Sequence, residues 1–419
     1  MFRLIFFVQA IVYLLLMPAI HDHMDTVYKP PLFVSVIAVA FLIAGFAAFK
    51  FSHPIQRTVR AAPDSKAVLG LKSRNAAPLG IAFLAILYIY VSWSNGLWNR
   101  RQGSEVMADI YGNLPLIELA ILRVYEIGFI PIAVVYLFGE NSRTARFFVL
   151  SILFASLPFM GIQDSRGRIL VIAICLLSFI KIENFNYFIK KNIKIFIFMF
   201  IAIFAFIYAS FQRLTAYARV DDYLFSEIVT RLDGLKLVSE LRDFGYINYI
   251  GRFDSEMFSP LVSRIPFIEA GRIAKLEGVT STKQYFLKYI LNTNRIDESN
   301  SIILDPLYFG GLMGLAISIA ALGYFIARSD CYIREGRTFS SYVRLALLLA
   351  FITSFATIEV DYFGALTTLI QNFVILFPAL WIMLRRTDHS PIGRQGLAEF
   401  NAANHNPTSE SIPSTSKAL

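Results

Sequence analysis

Charge is what this chain has least of. Asp, Glu, Lys and Arg make up 16% of its residues, against about 25% in a soluble domain. So few charges cannot cover a water-facing surface of this size, which excludes an ordinary soluble enzyme. Cysteine is almost missing, with two in 419 residues. Cys175 falls inside an apolar run and Cys331 in a loop expected on the opposite side from the long polar stretch, so no disulfide is expected. Histidine stands only at positions 21, 23, 53, 389 and 405. None lies deep in an apolar run, where a membrane acyltransferase or a rhomboid dyad would want one. No G-x-x-x-x-G-K-[ST] stretch is present for a nucleotide-driven pump, and no H-E-x-x-H for a membrane metalloprotease. Internal repeats and inverted pairs of broken helices are also missing, which weakens a transporter reading.

What is abundant is hydrophobic sequence, 56% of the chain. Apolar runs near the length that crosses a hydrocarbon core of roughly 30 Å recur throughout. Uninterrupted runs favour helices over the alternating pattern of a barrel. The expected fold is an all-α polytopic membrane protein with about ten transmembrane helices and one large periplasmic loop containing amphipathic helices. The expected spans are 2–20, 32–49, 79–97, 114–138, 147–162, 169–180, 195–211, 302–326, 345–357 and 365–384. The first is read as a retained helix rather than a signal peptide, because no small-residue cleavage site follows it. Lys and Arg gather after the second, fourth, sixth, eighth and tenth spans, which puts those loops and both termini in the cytoplasm. The formal charge of +9 therefore reflects topology and implies no nucleic-acid partner. Four segments follow: helices 1–7 over 1–211, the polar loop 212–301, helices 8–10 over 302–387, and a disordered cytoplasmic tail over 388–419.

The loop 212–301 carries twelve Lys or Arg and twelve Asp or Glu, with no His and no Cys. Leu224, Ile228, Leu232, Leu235 and Val238 recur at three- and four-residue spacing, and Glu227 and Arg231 form a favourable i,i+4 pair. This predicts an amphipathic helix over 222–242. Tyr285, Phe286, Tyr289 and Ile290 suggest a second helix that dips into the interface.

Several places can carry chemistry. Ser165-Arg166-Gly167-Arg168 puts two guanidiniums in an expected outer turn, against the usual charge bias. Arginine makes planar, multidentate contacts to phosphate, so Arg166 and Arg168 read as a phosphate clamp, or else as head-group anchors. Within the loop, Arg213 and Arg219 lie where the seventh span emerges, Arg264 and Arg272 flank the break Ile265-Pro266-Phe267, and Arg231 lies on the predicted helix. Glu118, Arg123 and Glu126 fall inside the fourth span, where an ionisable group is a functional candidate by default; the plainer reading is a structural pair between Arg123 and Glu126. His21-Asp22-His23 offers too few ligands in fixed geometry for a metal site. Asp22 or Asp25 is a minor candidate for a catalytic carboxylate.

Three places taken together resemble the Wzy-type O-antigen and oligosaccharide repeat-unit polymerases. They are Ser165-Arg166-Gly167 at the head of a short span, the long loop with Arg231-Leu232-Asp233 and Arg264-Ile265-Pro266, and Leu307-Tyr308-Phe309-Gly310-Gly311-Leu312-Met313-Gly314 opening the next span. Many members place the arginine after the proline in the second motif, whereas here Arg264 precedes Pro266. The resemblance implies a bacterial inner-membrane enzyme acting at the periplasmic face. It would move a growing glycan from undecaprenyl pyrophosphate onto the outer sugar of a new lipid-linked repeat unit, with membrane lipids and a chain-length regulator protein as partners. The departing pyrophosphate needs fixed cations, for which Arg166, Arg168, Arg213, Arg219, Arg231, Arg264 and Arg272 are the expected binding residues. The acceptor hydroxyl needs a base. Asp164, Asp233 and Asp305 are the expected catalytic carboxylates, with Glu359 and Asp361 behind them. No metal and no cofactor is expected. The alternatives are the related O-antigen ligase, whose large loop carries a His that 212–301 lacks, and a non-enzymatic transporter or flippase.

Overall fold

The structure is a computed structural model that describes residues 2–25, 27–52, 71–97, 114–139, 141–156, 159, 165–179, 229–230, 232–247, 249–251, 286–287, 301–335, 342–356, 358 and 361–386. Their elements, in chain order, are α1 (Phe2–Met24), α2 (Leu32–Ser52), β1 (Leu71–Ser73), α3 (Ala77–Ser94), α4 (Leu116–Phe138), α5 (Arg143–Ser156), α6 (Ser165–Ser178), α7 (Lys236–Asp243), α8 (Leu304–Glu335), α9 (Tyr342–Ser354), α10 (Tyr362–Met383) and β2 (Leu384–Arg386). Six of them, α1, α2, α3, α4, α8 and α10, are long and apolar enough to cross a membrane. The chain is by that measure a multi-pass helical membrane protein. The expected seventh span lies outside the described residues.

Helix pairs are set by where small residues allow close approach. α2 lies along α8, and a Cβ on Gly323 would sit 2.5 Å from the Leu42 carbonyl oxygen, while one on Gly45 would run into the Ala320 carbonyl. Gly45→Val and Gly323→Val should each force the helices apart and cost about 1–3 kcal/mol, read as a lower thermal midpoint in detergent. A change at Gly80, where a Cβ meets nothing within 4 Å, should leave the midpoint in place. Elsewhere buried polar groups act as joints. Tyr125 of α4 shares a 2.6 Å hydrogen bond with Ser156 of α5 and stacks on Tyr88 of α3. Asn372 of α10 donates to Thr353 of α9 at 3.1 Å. β1 and β2 form a short antiparallel ladder, Leu71 opposite Arg386. The loop before α3 and the end of α10 therefore lie at one end of the bundle, called here the ladder end.

At the other end the polar loop enters the bundle. Two sequence expectations are corrected here. The helix predicted over 222–242 is not continuous: Asp233 to Leu235 form a turn, and a helix resumes only at Lys236. Asp233 Oδ1 accepts the Leu235 N–H at 2.8 Å, the local side-chain bond by which Asp competes with helix. Gly234 then donates its N–H to the Tyr13 carbonyl at 2.9 Å. That carbonyl belongs to a π-helical turn, Val12–Leu16. A π turn shifts the i→i−4 ladder, and here the loop supplies a donor to the displaced backbone. A Cβ on Gly234 would lie 2.9 Å from the same oxygen.

The second correction concerns the expected span 302–326. Residues 301–308 are all buried, and the helix is broken at Gly311 (φ 59°, ψ −155°). The chain folds back so sharply there that a Cβ on Gly314 would lie 2.8 Å from the Pro306 carbonyl oxygen. Residues 304–310 are thus a helical piece that folds back on the rest of α8, called here the re-entrant piece. The freed Leu312 N–H is taken up by the Tyr249 carbonyl at 2.9 Å, and Tyr249 itself sits at φ 60°, a strained value for a bulky residue. Non-helical backbone at this depth is tolerated because protein surrounds it. Between α9 and α10, Phe355, Ala356 and Ile358 are buried, and Ile358 accepts the Ile302 N–H and donates to Gln9 Oε1. Cys331, expected in a loop, lies within α8, and both cysteines are free thiols.

Candidate functional site

The polar loop, the end of α1 and the stretch leading into α2 converge on one buried carboxylate. Asp233 has 0% exposure, and its Oδ2 lies 2.7 Å from His21 Nδ1, whose side chain is 12% exposed. With the carboxylate as acceptor, the tautomer that donates from Nδ1 leaves Nε2 as the basic pole. Oδ1 is occupied by the Leu235 N–H. The carboxylate is therefore locked by its own turn before it meets the imidazole. His21 is stacked on Tyr28, with ring centroids 4.0 Å apart and planes 26° apart, which fixes the tilt of the imidazole. The Tyr28 hydroxyl is buried and makes no well-formed hydrogen bond among the described residues. Burial, and then the negative charge of Asp233, push its pKa far above the ordinary phenol value. Tyr28 thus remains a neutral O–H donor at every physiological pH.

The surroundings hold this arrangement in place. Lys29 pairs with Asp22 at 3.0 Å, Asp25 accepts the Val27 N–H, and Ser239 of α7 donates to the Lys29 carbonyl. The Gly234 carbonyl accepts the Ser301 hydroxyl at 2.6 Å, tying the Asp233 turn to the re-entrant piece. A carboxylate–imidazole pair whose second ring nitrogen makes no hydrogen bond among the described residues has the form of a general base held by a positioning carboxylate, an arrangement that relays a proton in acyl-transfer enzymes on unrelated folds. Among the described residues no three His, Cys, Asp or Glu side chains form a metal-binding group.

Of the expected catalytic carboxylates, Asp233 is at this centre. Asp305 is also fully buried, at the start of the re-entrant piece, where its Oδ2 accepts the Phe363 N–H in the first turn of α10 at 3.1 Å. That bond caps a helix N-terminus. Asp361 stands just before the same helix. Arg166 and Arg168 lie in the first turn of α6 rather than in a turn before it, and their backbone alone is placed. Asp164, Arg213, Arg219, Arg231, Arg264, Arg272 and Glu359 lie outside the described residues. So does most of the expected second loop helix, but Phe286 is buried edge-on to Tyr308 at 5.0 Å. In α4, Arg123 and Glu126 form the expected pair at 3.5 Å, and Glu118 accepts from Asn95 at 2.8 Å.

The residue that sequence reading passed over is His21. In the sequence it stands as a metal-ligand candidate beside Asp22 and His23, and its partner lies 212 positions away. The available signal was Asp233-Gly234, a turn dipeptide inside an apolar helical pattern. It marks the place where the loop stops being a surface helix. The chain matches no protein-family model, no curated protein and no solved structure. Fold and site therefore define a multi-pass helical membrane protein with a loop-borne carboxylate–imidazole pair, and its function is argued from that chemistry.

Proposed function

We propose that the chain is a glycosyltransferase that polymerises oligosaccharide repeat units carried on undecaprenyl pyrophosphate. The end of the bundle that receives the loop would face the periplasm, and both termini the cytoplasm, of a bacterial inner membrane. The observation that supports this most is the buried His21–Asp233 pair, because transfer to a sugar hydroxyl needs a base. In the proposed step the acceptor O–H gives its proton to His21 Nε2 and its oxygen attacks the anomeric carbon of the donor. The bond from that carbon to the pyrophosphate oxygen breaks, and the departing lipid pyrophosphate keeps the electron pair. Asp233 then positions His21 and stabilises the imidazolium rather than taking the proton itself. Tyr28 holds the imidazole in place by stacking on it. Arg166 and Arg168, with the loop arginines, remain the proposed cations for the leaving group.

One observation favours a second reading. The lack of His in 212–301 separates polymerase from ligase only if the loop must supply its own histidine, and the fold brings His21 to the loop. Deleting the gene and analysing surface glycan distinguishes the readings. A single repeat on core means polymerase, bare core with long lipid-linked chains means ligase, and loss of all periplasmic repeat means flippase.

Two further results are expected. Arg166→Ala and Arg168→Ala should each collapse long-chain glycan on a complementation gel while protein level holds; an intact ladder with Arg166→Ala removes the clamp. In a Cys331→Ser background, Ser281→Cys should react with an impermeant thiol reagent from outside, and Ser65→Cys should not. The reverse pattern would put the loop in the cytoplasm and end the periplasmic assignment.

A further inference from the structure

α9 packs along α10, while α8 touches α10 only lightly, and the three enclose a cavity of about 510 Å³. That is within the usual range for a small-molecule site. Its walls are apolar along their length, with Leu322 and Phe325 from α8, Leu348 and Phe351 from α9 and Leu369 from α10. At the ladder end the lining changes abruptly. Arg328 and Arg344 stand there, both exposed. Among the described residues no carboxylate lines the cavity: Asp330, two residues beyond Arg328, is buried outside it. Neither arginine pairs with an acid among the described residues. Arg328 lies 5.6 Å from the Tyr332 ring centroid and donates to that phenol oxygen at 3.3 Å, a placement that holds the guanidinium at the mouth.

The dimensions select among possible occupants. From Arg344 to Ser354 the wall follows one helix, roughly 15 Å long at 1.5 Å per residue, with Phe355 just beyond its end. Half of a hydrocarbon core of roughly 30 Å is the depth of one leaflet. The cavity is therefore an apolar slot about one leaflet deep, with two arginines at one end that pair with no acid among the described residues. Basic pockets between membrane helices recognise anionic lipid heads, and a zwitterionic head gains nothing from the second charge.

We propose that this cavity binds one anionic glycerophospholipid of the ladder-side leaflet, with its phosphate on Arg328 and Arg344 and an acyl chain along α9. The lipid replaces protein contacts between α8 and α9 and braces the hairpin whose buried turn supports the re-entrant piece. The site is separate from His21–Asp233 and stands whether or not the glycosyltransferase reading holds.

The test uses the full chain in a neutral detergent, stripped of lipid, with thermal unfolding and native mass spectrometry as readouts. Phosphatidylglycerol should raise the midpoint saturably and appear as a bound adduct, and phosphatidylcholine with the same acyl chains should do neither at that concentration. Arg328→Gln and Arg344→Gln should each weaken binding about fivefold, and Arg328→Lys with Arg344→Lys should keep most of it. Leu369→Trp fills the slot and leaves both arginines in place, so it should abolish the adduct. This keeps the test decisive even if an arginine variant fails to fold. Equal stabilisation by phosphatidylcholine would overturn the proposal. So would equal stabilisation by soluble glycerol 1-phosphate, which would make the site one for a free anion, or tighter binding of undecaprenyl phosphate, which would make it a carrier site.

Discussion

His21→Ala should remove long-chain glycan from a complementation gel and slow transfer by about 10²–10⁴-fold, the usual worth of a general base. The protein should still reach the membrane at its normal level, because the imidazole is at the surface of the pair and its loss opens only a small space. The buried Asp233 loses its imidazole partner but keeps the Leu235 N–H. Asp233→Asn tests the division of labour. It retains an acceptor for Leu235 but loses the fixed charge that orients His21 and stabilises its protonated form, so the rate should fall with little change in KM. A full-length glycan ladder from His21→Ala at wild-type protein level would end the assignment of His21 as the base.

Gly311→Ala carries the largest expected cost in stability, about 3 kcal/mol or more. Two effects combine. At φ 59° and ψ −155° the backbone is in a region essentially reserved for glycine, costing roughly 1–3 kcal/mol for another residue. The added Cβ would also run into the carbonyl of Tyr249 and the backbone of Ile250, and such overpacking costs a similar amount. Gly310→Ala is the control. A Cβ there meets nothing within 4 Å, and alanine is the better helix former by about 0.5–1 kcal/mol. Thermal unfolding in detergent should therefore lower the midpoint for Gly311→Ala and leave it level or higher for Gly310→Ala. Equal loss in both variants would mean that the break is not held by its contact with 249–251. Because the re-entrant piece carries Ser301 against the Asp233 turn, the first variant should also lose activity at temperatures where it remains folded.

The sequence was most legible where one local quantity decides the structure. Apolar runs such as 32–49 and 116–138 must form helices because backbone polar groups in lipid have to pair within their own segment. Arg123 and Glu126 must meet because three residues bring side chains to one helix face. It was least legible at Gly310-Gly311, where two glycines at the head of a span permit a straight start as well as a break. Only the backbone of 249–251, lodged against the break, makes the difference. The 222–242 pattern misled for the same reason. Its apolar spacing is real, and Leu235, Val238 and Leu241 are buried, but Asp233-Gly234 takes its bonds from α1 rather than from a continuing helix.

By itself, then, the sequence determined that this protein lives in a membrane as a bundle of helices, because span length and charge placement act locally against the bilayer. Only the tertiary structure decided where a base could form. A histidine at the end of the first helix and a carboxylate 212 residues later have no local reason to meet. They are brought together because the loop's apolar residues are buried in the bundle and Gly234 bonds to the Tyr13 carbonyl of α1, which carries Asp233 to the end of that helix, and a carboxylate taken out of water must find a partner.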